Sequence, residues 1–262
     1  MTVFIKIGGS LITDKTQPKT YHRAIAEQLA SELAEIIQDP SCPPLLIGHG
    51  SGSFGHVSAH RYQTAKGVTT PEQWRGFAEV AADAAQLSTL LMETLRQAGL
   101  PILRMPPSSA ATGEGGKIVQ YHLSPIEQAL AHHLIPLVHG DVAFDREIGG
   151  TVISTEKVFF YLARQLRPST IILLGEVNGV YDETFTVFPE ITPANMDVVR
   201  PALGGSRGTD VTGGMLTKVE DMLALAQAVE GLSIFIANGQ QRGVLRRLIL
   251  EHESVGTHLY SP

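Results

Sequence analysis

Lys6-Ile7-Gly8-Gly9-Ser10 closes a short apolar run, Val3 to Ile7, near the start of the chain. Two successive glycines let the backbone turn tightly and let bare N–H groups approach an anion. The lysine just before them adds a full positive charge. A charge inside an apolar strand needs a reason, and a phosphate at the strand's end supplies one.

Outward from this stretch, short β-rich runs alternate with longer helical periods. That pattern predicts an α/β protein with a mostly parallel sheet. Ile25, Leu29, Leu33, Ile36 and Ile37 fall at helical spacing, and Leu45 to Ile47 reads as a buried strand. This strand runs into Gly50-Ser51-Gly52-Ser53-Phe54-Gly55-His56, followed by a polar segment to Thr70. Thr70-Pro71 reads as an N-cap and first helical residue. Pro101 to Met105 is a strand, and Ser124-Pro125-Ile126-Glu127 has the form of a capping box. Ile135 to Val138 delivers His139-Gly140-Asp141, and residues 142–153 read as a hairpin turning at Gly149-Gly150. After a helix to Leu166, the strand Thr170 to Leu174 runs into Gly175-Glu176-Val177-Asn178-Gly179. Segment 182–208 reads as irregular, with one helical turn after Thr192-Pro193. Gly213-Gly214-Met215 opens a helix, Leu232 to Ile236 is a late strand, and a last helix follows from Gly243. Ligands collect at the carboxyl ends of strands in such sheets, so Gly8, Gly50, Gly140 and Gly175 are expected along one edge.

Composition narrows the function. The chain has 262 residues, 43% of them hydrophobic, enough for one large core. A net charge of −6 argues against a nucleic-acid reader, and any phosphate site must concentrate its positive charge locally. Cys42 is the only cysteine, which excludes an internal disulfide and a cysteine-rich metal site. No signal peptide is read at the N-terminus, and no stretch approaches the ~18 apolar residues of a membrane span. The expected setting is the cytoplasm, without membrane or nucleic-acid partners.

Gly50-x-Gly52-x-x-Gly55 matches a dinucleotide fingerprint, but residues 57–70 offer neither the following strand nor its terminal acid. No Walker A sequence is present. What remains is lysines beside glycines: Lys6 before Gly8-Gly9, Lys15 soon after, and Lys218 one turn into the helix opened by Gly213-Gly214. A helix N-terminus supplies free N–H groups and partial positive charge. Taken singly, Lys15 is as readily a solvated surface charge, and His56 a packing residue. The helix from Pro71 carries Trp74, Phe77, Val80, Ala81 and Ala84. This face reads either as core or, with its small alanines, as room for a short apolar chain.

Together, Lys6-Ile7-Gly8-Gly9-Ser10, Gly52-Ser53-Phe54-Gly55-His56, His139-Gly140-Asp141-Val142 and Asp210-Val211-Thr212-Gly213-Gly214-Met215 with Lys218 resemble the amino acid kinase superfamily. Within it they most resemble the isopentenyl phosphate kinase branch, and the likeness runs over nearly the whole chain. The resemblance implies a three-layer αβα sandwich over residues 1–262, a homodimer, and ATP with Mg2+. It implies an acceptor-binding lobe at 1–150, a nucleotide-binding lobe at 151–262, and phosphoryl transfer to isopentenyl phosphate. A fosfomycin kinase-like acceptor and a non-catalytic nucleotide-binding module are the alternatives. Carried over, Lys6 meets the transferring phosphoryl group, Lys15 stabilises its charge, and Gly8, Gly9 and Ser10 cradle it. Ser51, Gly52, His56 and Thr155 hold the acceptor; Glu176, Gly179, Gly214 and Lys218 hold the nucleotide. Three stretches depart from the family pattern, the first being Gly50-Ser51-Gly52, where three glycines are usual. Ser154-Thr155-Glu156 stands where serine-glycine-aspartate is usual, so Glu156 would space Lys6 and Lys218 with one methylene more reach. Glu176 and Asn178 stand where the pattern has aspartates.

Overall fold

The computed structural model describes residues 2–14, 16–204 and 214–262. The chain begins β1 (Val3–Ile7), α1 (Gly9–Ile12), α2 (Arg23–Ile36), β2 (Leu45–His49), α3 (Gly52–Tyr62), α4 (Pro71–Gln97) and β3 (Ile102–Arg104). Next come β4 (Ala111–Glu114), β5 (Lys117–Tyr121), α5 (Ser124–Ala131), β6 (Ile135–His139), β7 (Asp141–Asp145) and β8 (Gly149–Ile153). The remainder is α6 (Thr155–Leu166), β9 (Thr170–Gly175), β10 (Glu190–Ile191), α7 (Met196–Gly204), α8 (Gly214–Ala228), β11 (Ser233–Asn238), α9 (Val244–Ile249) and β12 (Thr257–Leu259).

An eight-stranded sheet has the order β10-β12-β11-β9-β1-β2-β6-β3. Every neighbouring pair from β11 to β3 is parallel, and β12 runs antiparallel to β11. Period two along β1 assigns its side chains to opposite faces. Ile5 and Ile7 join a core with Leu29 and Leu33 of α2, Leu87 of α4 and Leu245 of α9. Phe4 joins the other core, with Phe159 and Leu162 of α6 and Val219 and Met222 of α8. Helices thus cover both faces in the three-layer αβα arrangement. The same alternation puts Lys6 on the Phe4 face, beneath the start of α6.

A second sheet, in the order β5-β4-β7-β8, stands beside the first. Its two hairpins are joined by Asp145, whose carboxylate accepts the N–H groups of Gly115, Gly116, Glu147 and Ile148. This sheet packs through Val142 against Phe77 and Val80 of α4.

Several local expectations change. The segment after Gly50 is not a polar loop: α3 occupies it, because Phe54 and Ser58 are buried and override the poor helix propensity of its glycines. The β7–β8 turn lies at residues 146–148, and Gly149-Gly150 opens β8 instead of forming the turn. Ser124 is not an N-cap; Leu123 precedes it as the cap and its carbonyl accepts the N–H groups of Ile126 and Glu127. Thr70 does cap α4, in a capping box with Gln73.

Candidate active site

Four strand ends make the floor of a cleft. Ile7 pairs with His49 and with Leu174, and His49 pairs with His139, so the residues that follow lie side by side. The glycine amides extend the ladder by one bond each: Gly8 N–H to Leu174, Gly50 N–H to Ile7, and Gly140 N–H to His49. Gly8, Gly50, Gly140 and Gly175 all line a cleft of about 430 Å³. Four helices also begin on it among the described residues, with Gly9 of α1, Gly52 of α3, Thr155 of α6 and Gly214 of α8 in its wall. Their leading N–H groups have no partner within their own helices and attract anions.

Charge concentrates there as composition requires. Lys6 and Lys218 line the same cleft, although they stand 212 positions apart in the chain. Lys6 is only 8% exposed, and its ammonium is ion-paired and hydrogen-bonded to the Glu156 carboxylate. Burial pushes the Glu156 carboxyl up, but the charges of Lys6 and Lys218 outweigh it and hold the group below its ordinary value. Glu156 therefore keeps its negative charge and acts on both lysines. Gly8, Gly9, Ser10, Ser51, Gly52, Thr155 and Gly214 also line this cleft.

Other expectations land elsewhere. Glu176 is exposed outside the lining, and Gly179 is buried against Thr257 and Val187. The Thr155 hydroxyl donates to the His49 carbonyl at 2.6 Å, which ties the start of α6 to β2. Lys15, the side chain of His56 and residues Asp210 to Gly213 of the late motif lie outside the described residues.

Two acids at the cleft were given no role by sequence reasoning. Asp221 sits three residues beyond Lys218, one helical turn along α8. Burial raises its pKa first, and repulsion from Glu156 and Glu220 adds to this. Asp141 is buried, with its oxygens accepting the N–H groups of Ser108 and Val142. The spacing of Asp221 from Lys218 could have flagged the first; the second stood in the His139-Gly140-Asp141-Val142 motif, but its partner turn at Ser108 gave no sequence signal. Among the described residues no group of three His, Cys, Asp or Glu gathers to hold a metal ion. At the other end the cleft turns apolar, with Ala59, Val80, Ala84, Val152 and Ile153 in its lining. Phe77 and Trp74 stand behind this wall, packed on each other and on Phe144.

Beneath the floor, His49 and His139 stack with ring centroids 5.3 Å apart. Each Nδ1 lies 3.0 Å from the next residue's carbonyl, so it carries the proton and donates. Each Nε2 has no hydrogen-bond partner among the described residues. Burial, with His139 beside it, pushes the His49 pKa down to about 3; burial also lowers that of His139, against the pull of Asp141. The unfolded chain takes up the His49 proton below about pH 6.5 and the folded one does not, and the lowered His139 acts in the same direction, so stability falls as pH drops through that value. Most carboxylates stay ionised down to about pH 5.5. Unfolding by urea at pH 7.5 and 5.5 is expected to show a loss of roughly 1–3 kcal/mol at the lower pH. At least half of that loss is expected to disappear in His49→Gln, since His49 carries the larger shift.

Comparison with known proteins agrees with this geometry. Residues 1–238 match the Amino acid kinase family. The isopentenyl phosphate kinase of Methanothermobacter thermautotrophicus is 31% identical over 269 residues, covering 98% of each chain. That of Haloferax volcanii is 33% identical over 249 residues, 93% of this chain and 98% of the relative. A solved isopentenyl phosphate kinase structure superposes with a TM-score of 0.83 at 27% identity, over 99% of this chain and 100% of that one. With its glycine-lined row of strand ends, its lysines in one cleft and these matches along nearly its full length, the chain belongs to the amino acid kinase family.

Proposed function

We infer that the chain is an isopentenyl phosphate kinase, which transfers the γ-phosphoryl group of ATP to the phosphate of isopentenyl phosphate and releases isopentenyl diphosphate and ADP. The observation that carries this reading is one cleft lined by two lysines, a row of glycines and an apolar wall. The relatives that cover nearly the whole chain bear the same activity in their names.

Two anions must meet end to end, and their repulsion is a large part of the barrier. Phosphoryl transfer asks a protein mainly to position groups and neutralise charge. In this reading Lys6 meets the transferring group, and the N–H groups of Gly8, Gly9 and Ser10 cradle it. Gly214 and Lys218 hold the nucleotide phosphates, in the lobe of residues 151–262. Ser51, Gly52 and His56 hold the acceptor's phosphate in the lobe of residues 1–150, and Lys15 adds its charge. Glu156 spaces the two lysines of the cleft, and its carboxylate offsets their mutual repulsion. An acceptor phosphate oxygen attacks the γ-phosphorus while the bond to the ADP oxygen breaks. The acceptor needs no general base, because a phosphate monoester with a second pKa near ~6 is already ionised at neutral pH. Mg2+ bound to the nucleotide phosphates would neutralise part of their charge. The reading carries with it a homodimer in the cytoplasm, acting on small molecules and on neither nucleic acid nor membrane.

The five-carbon tail fits against Ala59, Val80 and Ala84, where an anion would find no partner. Ala84→Phe fills this end and is expected to raise the isopentenyl phosphate KM about 10-fold or more, with ADP affinity little changed. Steady-state kinetics and calorimetry check the two halves of that statement. The activity itself is tested by following ADP release from ATP with isopentenyl phosphate and, separately, with a fosfomycin-type phosphonate. Turnover of the first and not the second is expected. Turnover of the phosphonate alone, or nucleotide binding without ADP from either acceptor, would refute the assignment.

A further inference from the structure

The two glycine turns of the cleft touch backbone to backbone. A Cβ on Gly50 would stand 2.8 Å from the Gly9 nitrogen. One side chain is wedged into this contact: Thr13, 1% exposed, at the end of α1. Its hydroxyl donates to the Gly9 carbonyl at 2.7 Å and accepts the Ser53 N–H at 2.9 Å. Gly52 has φ +49, and any Cβ there would run into the Thr13 side chain. Ser53 is held from the same segment at its other end, where its carbonyl accepts the Lys19 N–H at 3.4 Å.

This hydroxyl does a job that normally falls to another residue. The Ser53 N–H is one of the leading donors of α3 that the helix cannot satisfy itself. A serine at the N-cap usually accepts such a bond. Ser51 is the N-cap of α3, yet its side chain makes no cap hydrogen bond. Thr13, 40 residues away in sequence, caps the helix in its place. Ser51 lines the cleft with its hydroxyl not committed to the helix.

We propose that Thr13 is a positioning residue for phosphoryl transfer: by capping α3 from α1 it fixes the spacing between the Gly8–Ser10 turn and the Ser51–Ser53 turn, and it leaves the Ser51 hydroxyl for the acceptor phosphate. This rests on the kinase reading, since it assigns one turn to the transferring group and the other to the acceptor. A shift of about 1 Å between positioned groups can cost on the order of 10²-fold in rate.

The test compares wild type, Thr13→Val, Thr13→Ala and Thr13→Ser. Thr13→Val keeps the shape and removes both bonds. It is expected to lower kcat by about 10²-fold and raise the acceptor KM. ADP affinity by calorimetry should move by less than about threefold, since Gly214 and Lys218 are untouched. Thr13→Ser restores the hydroxyl and is expected to recover kcat to within about threefold. If Thr13→Val does not fold by circular dichroism, Thr13→Ala, which adds no bulk, is held to the same values. A role confined to stability would lower the melting temperature and leave kcat per folded molecule at the wild-type value, which overturns the proposal. So would a Thr13→Ser enzyme as impaired as Thr13→Val. No ADP from wild type with isopentenyl phosphate would refute the kinase reading and this proposal with it. Wild-type turnover alongside an unimpaired Thr13→Val overturns the positioning role alone.

Discussion

Lys6→Met is expected to lower kcat by about 10³-fold or more while the protein stays folded. Methionine keeps the length and most of the volume of the lysine stem, so the packing beneath α6 survives and only the ammonium is lost. That ammonium is nearly buried at the end of β1 and held by Glu156. A charge fixed in a site of low solvent access acts on developing negative charge far more strongly than one in water. A carboxylate in a cleft meant for two anions looks unfavourable at first. Its role follows from its partners: burial alone would push Glu156 up, and Lys6 and Lys218 hold it down. In turn, it offsets the repulsion between two ammonium groups before the substrates arrive. Lys6→Met removes one of the charges that hold Glu156 ionised, so the Glu156 pKa rises in the variant. The loss of kcat is read from ADP release at saturating ATP and acceptor, with thermal unfolding as the control. A folded Lys6→Met enzyme retaining more than about a tenth of wild-type kcat would remove Lys6 from the chemistry.

The parts of this site that could be read from the sequence share a physical cause. Strands buried on both faces leave continuous apolar runs, so β1, β2, β6 and β9 were visible, and the glycines after them marked one edge of the sheet. Lys6 stood out because a charge in such a run is costly without a partner. Helix α3 was hidden by its own composition. Gly52, Gly55 and Ala59 lie along the cleft, where small residues leave room, and the burial of Phe54 that stabilises the helix comes from distant elements. Of the second sheet only the β7–β8 hairpin was visible; β4 and β5 were hidden because their pairing depends on Asp145, a carboxylate whose four N–H partners come from two separate hairpins. Gly179 and Glu176 fall at the positions of a nucleotide turn, Glu176 where the pattern has an aspartate, yet one is buried under β12 and the other faces solvent. Thr13 carries no signal at all, because its partners are defined only once α1 and α3 meet.

Gly9→Ala is expected to lower kcat/KM by about 10²-fold or more and to cost about 1–3 kcal/mol of stability. The added Cβ would stand 2.5 Å from the nitrogen and 2.8 Å from the Cα of Gly52, and 3.2 Å from the carbonyl carbon of Gly50. All three are backbone atoms, and no side chain can swing away to relieve the contact. The two turns must therefore part, on the scale at which positioned groups lose their alignment. The Thr13 bridge resists that movement, since its hydroxyl is bonded to the Gly9 carbonyl and the Ser53 N–H at once. Strain is shared between a broken bridge and a widened cleft, and either outcome separates the amides of the Gly8–Ser10 turn from those of the Ser51–Ser53 turn. Gly175→Ala is the matched control for stability. It lies at the end of β9 on the same cleft, and a Cβ there would meet nothing nearer than 4.0 Å. Its melting temperature is expected to stay within about 2 °C of wild type, whereas that of Gly9→Ala falls by roughly 2–10 °C. Equal melting temperatures for the two variants, with Gly9→Ala fully active, would mean that the turns are not packed rigidly enough for their spacing to govern the reaction.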